Sequence, residues 1–445
     1  MIMLYKKSIV AIIALQIFLI MALDVGAQNA KALTLVEAVR LSIRNSKQLQ
    51  LNRAQIEEAV AATKEATQRR LPDASISANF LEFSNAKVQS YRKDTSAIAP
   101  LGINTAIYGT ANITYPLFTG FKIKFGIESA RFLEQAANLD AENNKEEVIL
   151  NTIAAYVNLY KANITAKLVE ENLSQSRQRD TDFTNLEKNG LLARNDLLKA
   201  ELQTSQYELG LLDAQNNIQF AQVNMNLMLG LPENTKLILD SASLKPPTAI
   251  GAIEEYEQLA MQNRYDVKAL DVRMRAAQSG VKAAKGDYYP TVGLTGGVIA
   301  ADLPKFITIT NAFNIGLAVQ YNLASLWKTD AKVQQAKARE QQFQANRAML
   351  FDDIKLAINK AYEDYFSGLK KIDVLNREVE QSAENYRISK NKYNNSLLTL
   401  TDLLDADVSQ LRSRLNLTLA KADAYIAYQT LLQKAGLLNE QIISK

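Results

Sequence analysis

The sequence contains no cysteine and no histidine, and it has only one tryptophan and eight prolines among 445 residues. Without cysteine or histidine, the chain cannot build disulfides, Cys/His zinc sites, thiol nucleophiles or a catalytic triad whose base is histidine. The formal net charge is +4, with 51 basic and 47 acidic residues spread along the chain. This balance is not typical of nucleic-acid binding, and the two absences exclude most common catalytic devices.

The first 27 residues have the pattern of a secretory signal peptide. Lys6 and Lys7 precede an apolar run from Ile9 to Leu23, and the small residues Val25-Gly26-Ala27 predict cleavage after Ala27. A membrane-anchor helix is the alternative, but the run is shorter than the roughly 20 apolar residues that a span needs. No long apolar run follows, so an exported chain that crosses a membrane is expected to cross as β-strands.

The mature chain contains an internal repeat. Asn45 and Pro72 recur at one constant offset as Asn263 and Pro290. A second offset relates another set of residues, in which Ala155-Tyr156, Asp196-Leu197-Leu198 and Gly230 recur as Ala361-Tyr362, Asp402-Leu403-Leu404 and Gly436. The sequence therefore predicts a first repeat over 28–232, a linker over 233–252, a second repeat over 253–436 and a tail over 437–445.

Each repeat is predicted to contain a long helix flanked by shorter helices. The long helices run from about 121 to 188 and from about 327 to 394, and neither contains proline. Between residues 200 and 228, apolar or small residues recur in steps of three and four, which is the pattern of a coiled-coil seam. A second stripe through Leu198, Leu202, Leu209 and Leu212 lies beside it. Two stripes on one helix predict a wall of helices in which each helix has two neighbours.

Four segments alternate between apolar and polar residues with the period of a strand, at about 73–83, 106–118, 291–300 and 312–323. Their length of about ten residues suits membrane-spanning strands. Four strands are too few to close a barrel, so three chains would supply twelve. A soluble sheet with one wet face is the alternative. Aromatic residues gather where strands meet helices, as in a membrane-interface girdle: Tyr115, Phe118, Tyr288, Tyr289, Tyr321 and Trp327.

One acidic arrangement has two interpretations. Asp402 and Asp405 begin the last helix of the second repeat, and Asp196 has the equivalent position in the first. Carboxylates in a first helical turn complement the helix dipole and cap free amide groups. Alternatively, symmetry-related copies would place these carboxylates in a ring that controls a pore.

Several motifs resemble those of the TolC-like outer-membrane efflux proteins. They are Leu33-Thr34-Leu35-Val36-Glu37-Ala38-Val39 followed by Asn45, Leu71-Pro72, Tyr115-Pro116-Leu117-Phe118-Thr119-Gly120, Gly190 with Asp196-Leu197-Leu198, and Leu229-Gly230-Leu231-Pro232. The resemblance covers nearly the whole mature chain. It implies a mainly α-helical homotrimer in the outer membrane, whose twelve-stranded β-barrel continues into a long periplasmic α-helical barrel.

The resemblance also implies a site at the narrowed periplasmic tip. Asp402 and Asp405 match the carboxylates that line this tip. Its turns are expected at Gly190 with Asp196 and at Ser396-Leu397. Two residues depart from the family pattern: Leu398 stands where relatives can carry a gating arginine, and Ser396 replaces the glycine that the first repeat keeps.

The sequence therefore predicts a passive exit duct for multidrug efflux or type I secretion, with no catalytic site, metal or cofactor. The resemblance implies a periplasmic adaptor and an inner-membrane pump of the RND, ABC or MFS type as partners. The alternative is a periplasmic coiled-coil scaffold that never enters the membrane, which would be soluble without detergent. An enzyme is disfavoured because the helical faces are repetitive and offer no convergent polar pocket.

Overall fold

A computed structural model describes residues 31–88, 101–240, 250–304 and 307–438, together with residues 244 and 247. The predicted signal peptide lies outside the described residues, as do parts of the predicted linker and most of the predicted tail. Within the described ranges, the two repeats have the same order of elements. After a strand of three residues, each has two helices, two long strands, one long helix and one further helix.

The elements of the first repeat are β1 (Lys31–Leu33), α1 (Leu35–Asn45), α2 (Lys47–Gln68), β2 (Asp73–Val88), β3 (Leu101–Phe118), α3 (Lys122–Lys188) and α4 (Arg194–Leu229). They are followed by β4 (Leu237–Leu239), α5 (Ile253–Asn263), α6 (Tyr265–Lys285), β5 (Thr291–Leu303), β6 (Ile307–Gln320), α7 (Ser325–Asn394) and α8 (Leu400–Lys434). The strands β2, β3, β5 and β6 have 16, 18, 13 and 14 residues, so all are longer than the period-two segments in the sequence. Within the described ranges, none of the helices has both the length and the apolar character that a membrane crossing requires.

The chain divides into two compact units. The helical unit comprises the described residues of Met1–Leu51, Glu142–Arg264 and Asp352–Lys445, and the sheet unit comprises those of Asn52–Ala141 and Tyr265–Phe351. The boundaries of the units cut across both repeats. Each unit therefore combines equivalent segments from the two copies.

The helical unit is organised by the seam predicted on α4. Ala200, Thr204, Tyr207 and Met225 of this seam are buried, and Leu197 begins it. The neighbouring stripe is exposed in the single chain, with Leu202 at 65% and three further members, Leu198, Leu209 and Leu212, also exposed. Only one of the two predicted stripes thus has its partner inside the chain.

Equivalent glycines end the last helix of each repeat. Gly230 follows α4 and Gly436 follows α8, and both have left-handed backbone angles, with φ of 67° and 69°. A Cβ atom at Gly230 would lie 2.8 Å from the Cβ of Asn45, and one at Gly436 would lie 2.9 Å from the backbone nitrogen of Arg264. Glycine is therefore required at each position for two reasons, its left-handed backbone angle and the close approach of the neighbouring helix end.

The short parallel pair of β1 and β4 is fixed by a buried tyrosine of α3. The hydroxyl of Tyr156 lies 2.9 Å from the carbonyl oxygen of Leu33 and 2.8 Å from that of Asp240, so it can donate to either. Burial raises the pKa of Tyr156 to about 12. The hydroxyl therefore keeps its proton and remains a donor at neutral pH.

The sheet unit is built on a four-stranded sheet with the order β2-β3-β5-β6. Every neighbouring pair is antiparallel, and the central pair of β3 and β5 joins the two repeats. Strands β2 and β6 form the two edges, each paired on one side only within the described residues. The direction of the chain alternates across the sheet, so β2 and β6 run in opposite directions.

Candidate functional site: the sheet faces and the helical turns

The first candidate site is the sheet, whose register separates an apolar face from a polar one. One row across all four strands joins Ile76, Ala111, Val298 and Phe313. The exposed fractions of Ile76 and Phe313 are 88% and 77%, and Ile315 on the same face of β6 is 82% exposed. Apolar surface of this kind on every strand is typical of a face that meets lipid or another protein. This exposure speaks against a soluble sheet that packs its apolar face on a core of its own.

The opposite face of the sheet is polar. Its central row joins Ser75, Asn112, Gly297 and Asn314. A Cβ atom at Gly297 would lie 2.7 Å from Oδ1 of Asn112, so glycine allows the two asparagines to flank this position closely. In the next row, the hydroxyls of Ser77 and Thr110 share a hydrogen bond of 2.8 Å. A face that carries hydroxyl and amide groups and glycines suits contact with water.

The predicted interfacial aromatics lie at or beside the ends of the strands. Phe118 and Tyr289 both pack edge-on against Phe121, with ring centroids 5.2 and 6.4 Å apart. Five of the six are exposed, with Tyr289 at 52% despite its ring contact, namely Tyr115, Tyr288, Tyr289, Tyr321 and Trp327. Trp327 is 67% exposed and is the only tryptophan of the chain. The structure thus places Phe118 and Tyr289 on the same ring, that of Phe121, and leaves the other four rings exposed on the sheet unit.

The second candidate site comprises two equivalent turns of the helical unit, between α3 and α4 and between α7 and α8. Gly190 has φ of 70°, its N–H donates to the carbonyl of Glu187, and the N–H of Leu191 donates to that of Leu186. Ser396 has φ of 59° and the N–H of the next residue, Leu397, donates to the carbonyl of Lys392. Both turns therefore have the hydrogen bonds of a helix C-terminus closed by a left-handed residue.

Serine occupies this left-handed position at a cost, because a Cβ atom disfavours the backbone angle that glycine adopts freely. The exposed side chains of Leu397 and, in the first repeat, Leu191 follow the two turns. Leu398, at the position of the expected arginine, is half-buried and has no charge to offer. The turn of the second repeat thus keeps the fold of the first while changing its chemistry.

The acidic residues behind the turns are held differently from one another. Asp402 lies at the start of α8, where its backbone N–H donates to the hydroxyl of Thr399 over 3.3 Å and its carboxylate accepts from that hydroxyl over 2.5 Å. Asp196 is half-buried and pairs with Lys199, with 3.3 Å between Nζ and Oδ1. Asp405 is exposed and its carboxylate has no hydrogen bond or ion pair within the described residues.

Asp402 therefore contacts Thr399, the residue that caps the start of α8, and Asp405 makes no such contact. A helix cap does not exclude a further role for Asp402, because one carboxylate oxygen accepts from Thr399 while the other is free of that bond. The contrast makes Asp405 the stronger candidate for contact with solutes.

A buried polar cluster in the helical unit was missed by sequence reasoning. The guanidinium nitrogens of Arg179 lie 3.0 and 3.1 Å from Oδ2 of Asp407, and the hydroxyl of Tyr207 donates to the same oxygen over 3.2 Å. Arg179 also donates to the hydroxyl of Ser176, which shares a 2.7 Å hydrogen bond with Thr204. Burial is the main reason that the pKa of Tyr207 is raised, and the charge of Asp407 adds to it.

This cluster links α3, α4 and α8 next to the apolar core behind the turns. That core contains Phe183, Leu197, Leu400 and Leu403, and Tyr393 packs against it. A signal for the cluster was present in the sequence, because Asp407 follows Leu400, Leu403 and Leu404 at the spacing of the apolar stripe of α8. A charged residue on an apolar stripe requires a buried partner.

Among the residues that the structure describes, no group of three or more acidic side chains is placed to hold a metal ion. Histidine and cysteine are absent from the whole chain.

Comparisons with known proteins agree with a fold that joins long helices to a sheet with one apolar and one polar face. Residues 257–437 match the family described as outer membrane efflux protein. The toxin and drug export protein A of Aggregatibacter actinomycetemcomitans is 24% identical over 325 residues, which are 70% of this chain and 69% of that protein. The outer membrane efflux protein BepC of Brucella suis biovar 1 (strain 1330) is 24% identical over 326 residues, covering 72% and 70%.

The fold is similar to that of the outer membrane protein VceC from Vibrio cholerae, with a TM-score of 0.74 and 21% identity over 90% of this chain and 96% of that one. This likeness shows the fold. The predicted family, the outer-membrane location and the role in efflux are confirmed. Residues 257–437, nearly the whole second repeat, therefore match the outer membrane efflux protein family, and the chain acts as an outer-membrane exit duct of efflux systems.

Proposed function

We propose that three copies of the chain close a single β-barrel of twelve strands in the outer membrane. The observation that carries this proposal is the sheet: its apolar face is exposed on all four strands, and its edges are the antiparallel strands β2 and β6. Because these edges run in opposite directions, β6 of one copy can continue the antiparallel order with β2 of the next. Closure satisfies the edge hydrogen-bonding groups that a bilayer cannot satisfy.

The helical unit supports assembly independently of the sheet. Leu198, Leu202, Leu209 and Leu212 form an exposed stripe on α4, next to a stripe that is already buried in the chain. An exposed leucine stripe at coiled-coil spacing is explained by a neighbouring helix. In the proposed trimer this neighbour belongs to another copy, and the helices close into a wall around a periplasmic lumen.

In this assembly the apolar face of the sheet meets lipid and the polar face lines the duct. The aromatics at the strand ends would lie at the membrane interface, where rings with one polar edge are favoured. Transport is passive, with no catalytic step or cofactor in this chain. Energy would come from an inner-membrane pump joined through a periplasmic adaptor. The proposed cargo is drugs, other small molecules or polypeptides, and a relative named for toxin and drug export supports a cargo of this kind.

We place Asp402 and Asp405 in a ring of six carboxylates at the periplasmic end of this duct, beside the turns at Gly190 and Ser396. Support comes from the exposure of both aspartates and from the lack of any partner for the carboxylate of Asp405 within the described residues. Six carboxylates around one axis would attract cations and bind multivalent ones strongly enough to obstruct flow.

The assembly is tested by the mass of the detergent-solubilised protein and by its migration with and without heating. A mass three times that of the chain and heat-dependent migration are expected, together with dependence on detergent. A protein that is monomeric in detergent would contradict the trimer. A protein that needs no detergent would be the periplasmic scaffold that the sequence left open.

The carboxylate ring is tested by single-channel recording in planar bilayers. The double variant D402N/D405N should lose cation selectivity and block by multivalent cations added on the periplasmic side. The single variant D405N should lose more selectivity and block than D402N, because Asp402 also contacts the capping residue of its helix. Unchanged selectivity and block in an intact trimer would return both residues to a structural role.

A further inference from the structure

The sheet unit contains a pocket beside the start of α7 with basic and hydroxyl-bearing walls. Its volume is about 300 Å³. The walls that matter here are Lys122, Asp287, Thr291, Ser325, Lys328 and Lys332. None of these residues belongs to the carboxylate ring, and only Thr291, the first residue of β5, lies in the sheet.

The charges in the pocket do not balance. Nζ of Lys122 and Nζ of Lys332 lie 2.9 Å from different oxygens of the Asp287 carboxylate. Lys328 makes no ion pair or side-chain hydrogen bond within the described residues. The pocket thus contains three lysines and one carboxylate, and two of the lysines pair with that carboxylate. The hydrogen bond from Lys122, followed by that from Lys332, lowers the pKa of the Asp287 carboxyl, so one carboxylate faces three lysines and the formal charge of the pocket is +2.

A buried hydroxyl in the same wall also lacks a partner. Ser325 is only 9% exposed, and its Oγ has no hydrogen-bond partner within the described residues. A buried hydroxyl without a partner costs free energy, and an acceptor in the pocket would remove that cost. The pocket therefore combines excess positive charge with a hydroxyl able to donate.

We infer that this pocket binds a phosphate group. Phosphate offers several strong acceptor oxygens, which suits an excess of ammonium groups and a hydroxyl donor better than a single carboxylate does. Two sources share this chemistry: the headgroup of an anionic phospholipid and free inorganic phosphate. The lipid source rests on the proposed function, which places this part of the chain at the membrane interface.

The surroundings favour the lipid source. Tyr289 lines the pocket, and the exposed ring of Trp327 follows Ser325 by two residues on α7. Aromatic rings lie at the level of lipid headgroups in membrane proteins, and basic pockets at this level bind anionic headgroups. A headgroup phosphate in the pocket would thus have its acyl chains beside the aromatic surface.

Native mass spectrometry of the full-length protein in detergent, titrated with phosphatidylglycerol, tests the lipid source. K328Q and K332Q should each lower lipid retention about fivefold, the effect of one basic residue at an anionic surface. K337Q is the matched control on the same helix and should leave retention unchanged. S325A should lower retention without changing charge, and phosphatidylcholine should be retained less than phosphatidylglycerol.

Asp287 gives a test of opposite sign. D287N frees two lysines from their carboxylate and should raise retention of phosphatidylglycerol about fivefold, whereas damage to the fold would lower it. A calorimetric titration with inorganic phosphate examines the second source, and its heat should disappear in K328Q if free phosphate is bound. Equal lipid retention and equal phosphate heat in wild type, K328Q and K332Q would overturn the inference.

The outcome is separable from that of the proposed function. K328Q and K332Q could form channels of normal conductance and still retain as much lipid as the wild type. This result would leave the proposed duct intact and refute phosphate binding by the pocket. A wild-type protein that fails to insert into bilayers would instead refute the duct. In that case the heat of phosphate binding would still decide whether the pocket binds the anion.

Discussion

Arginine at position 315 tests which face of the sheet meets lipid. Ile315 is 82% exposed on β6 and pairs with Gly296, so a new side chain there meets the surroundings rather than the sheet. Six residues separate Ile315 from the ring of Tyr321. This separation is about 20 Å along the strand, or about 15 Å along the membrane normal at a tilt of about 40°.

An apolar band about 25 Å tall places position 315 close to the bilayer midplane, where arginine on the lipid face costs about 2–4 kcal/mol. I315R should therefore lower the free energy of unfolding by about that amount per subunit. N314R is the matched control, because Asn314 lies at nearly the same depth on the polar face, next to Gly297. It should cost less than about 1 kcal/mol, since the lumen is wet.

Denaturant titration of the protein folded in lipid vesicles measures both variants. Trp327, the single tryptophan, reports the transition by its fluorescence. Protein and lipid concentrations must be equal in all titrations, because the stability of an assembled oligomer depends on them. Equal losses for I315R and N314R would show that the two faces meet the same surroundings, and a larger loss for N314R would reverse their assignment.

Three further predictions concern the turns, the buried cluster and acid stability. S396G should raise the free energy of unfolding by about 1 kcal/mol by removing a Cβ atom from a left-handed backbone position, and G190A should lower it by a similar amount. Thermal unfolding followed by circular dichroism compares them, and a loss of stability in S396G would contradict the reasoning. D407L should lower the free energy of unfolding by about 3–5 kcal/mol, because the substitution leaves the Arg179 guanidinium buried without a counter-ion. The double variant R179M/D407L should recover most of this loss. Additive losses in the double variant would show that the two residues act separately. The lysine hydrogen bonds lower the pKa of Asp287 in the folded chain, so their stabilisation is complete above the ordinary carboxyl pKa and is lost as pH falls through the lowered value. D287N should remove this component from acid unfolding measured by fluorescence, and an unchanged acid profile would argue against it.

The periodic parts of the fold could be predicted because their periods are local. The long helix predicted from about 121 to 188 is α3, Lys122–Lys188, and the seam of α4 is buried as its spacing indicates. The lengths of the strands were less predictable, since pairing extends β2 and β3 to 16 and 18 residues. Hydrogen bonds to a neighbouring strand hold residues whose own pattern no longer alternates.

The candidate sites were predicted unevenly for a similar reason. Ser396 and Gly190 could be compared directly through the repeat, and both are left-handed in the structure. The cluster of Arg179 and Asp407 joins residues 228 positions apart, so the place of Asp407 on an apolar stripe indicates a buried partner without identifying it. The pocket of Lys122, Asp287 and Lys332 is likewise assembled from three distant segments.

The sequence by itself determined the duplication, the alternation of helix and strand, the apolar and polar faces of each strand, and the family. These properties follow from residue spacing along the chain, because side-chain direction is set by the backbone period of 3.6 or 2 residues. Only the tertiary structure decided which strands are neighbours, that β2 and β6 remain as edges, and that one stripe of α4 is buried while the other is exposed. It alone also decided which charges meet, since pairing between distant residues depends on distances across the fold that no local spacing encodes.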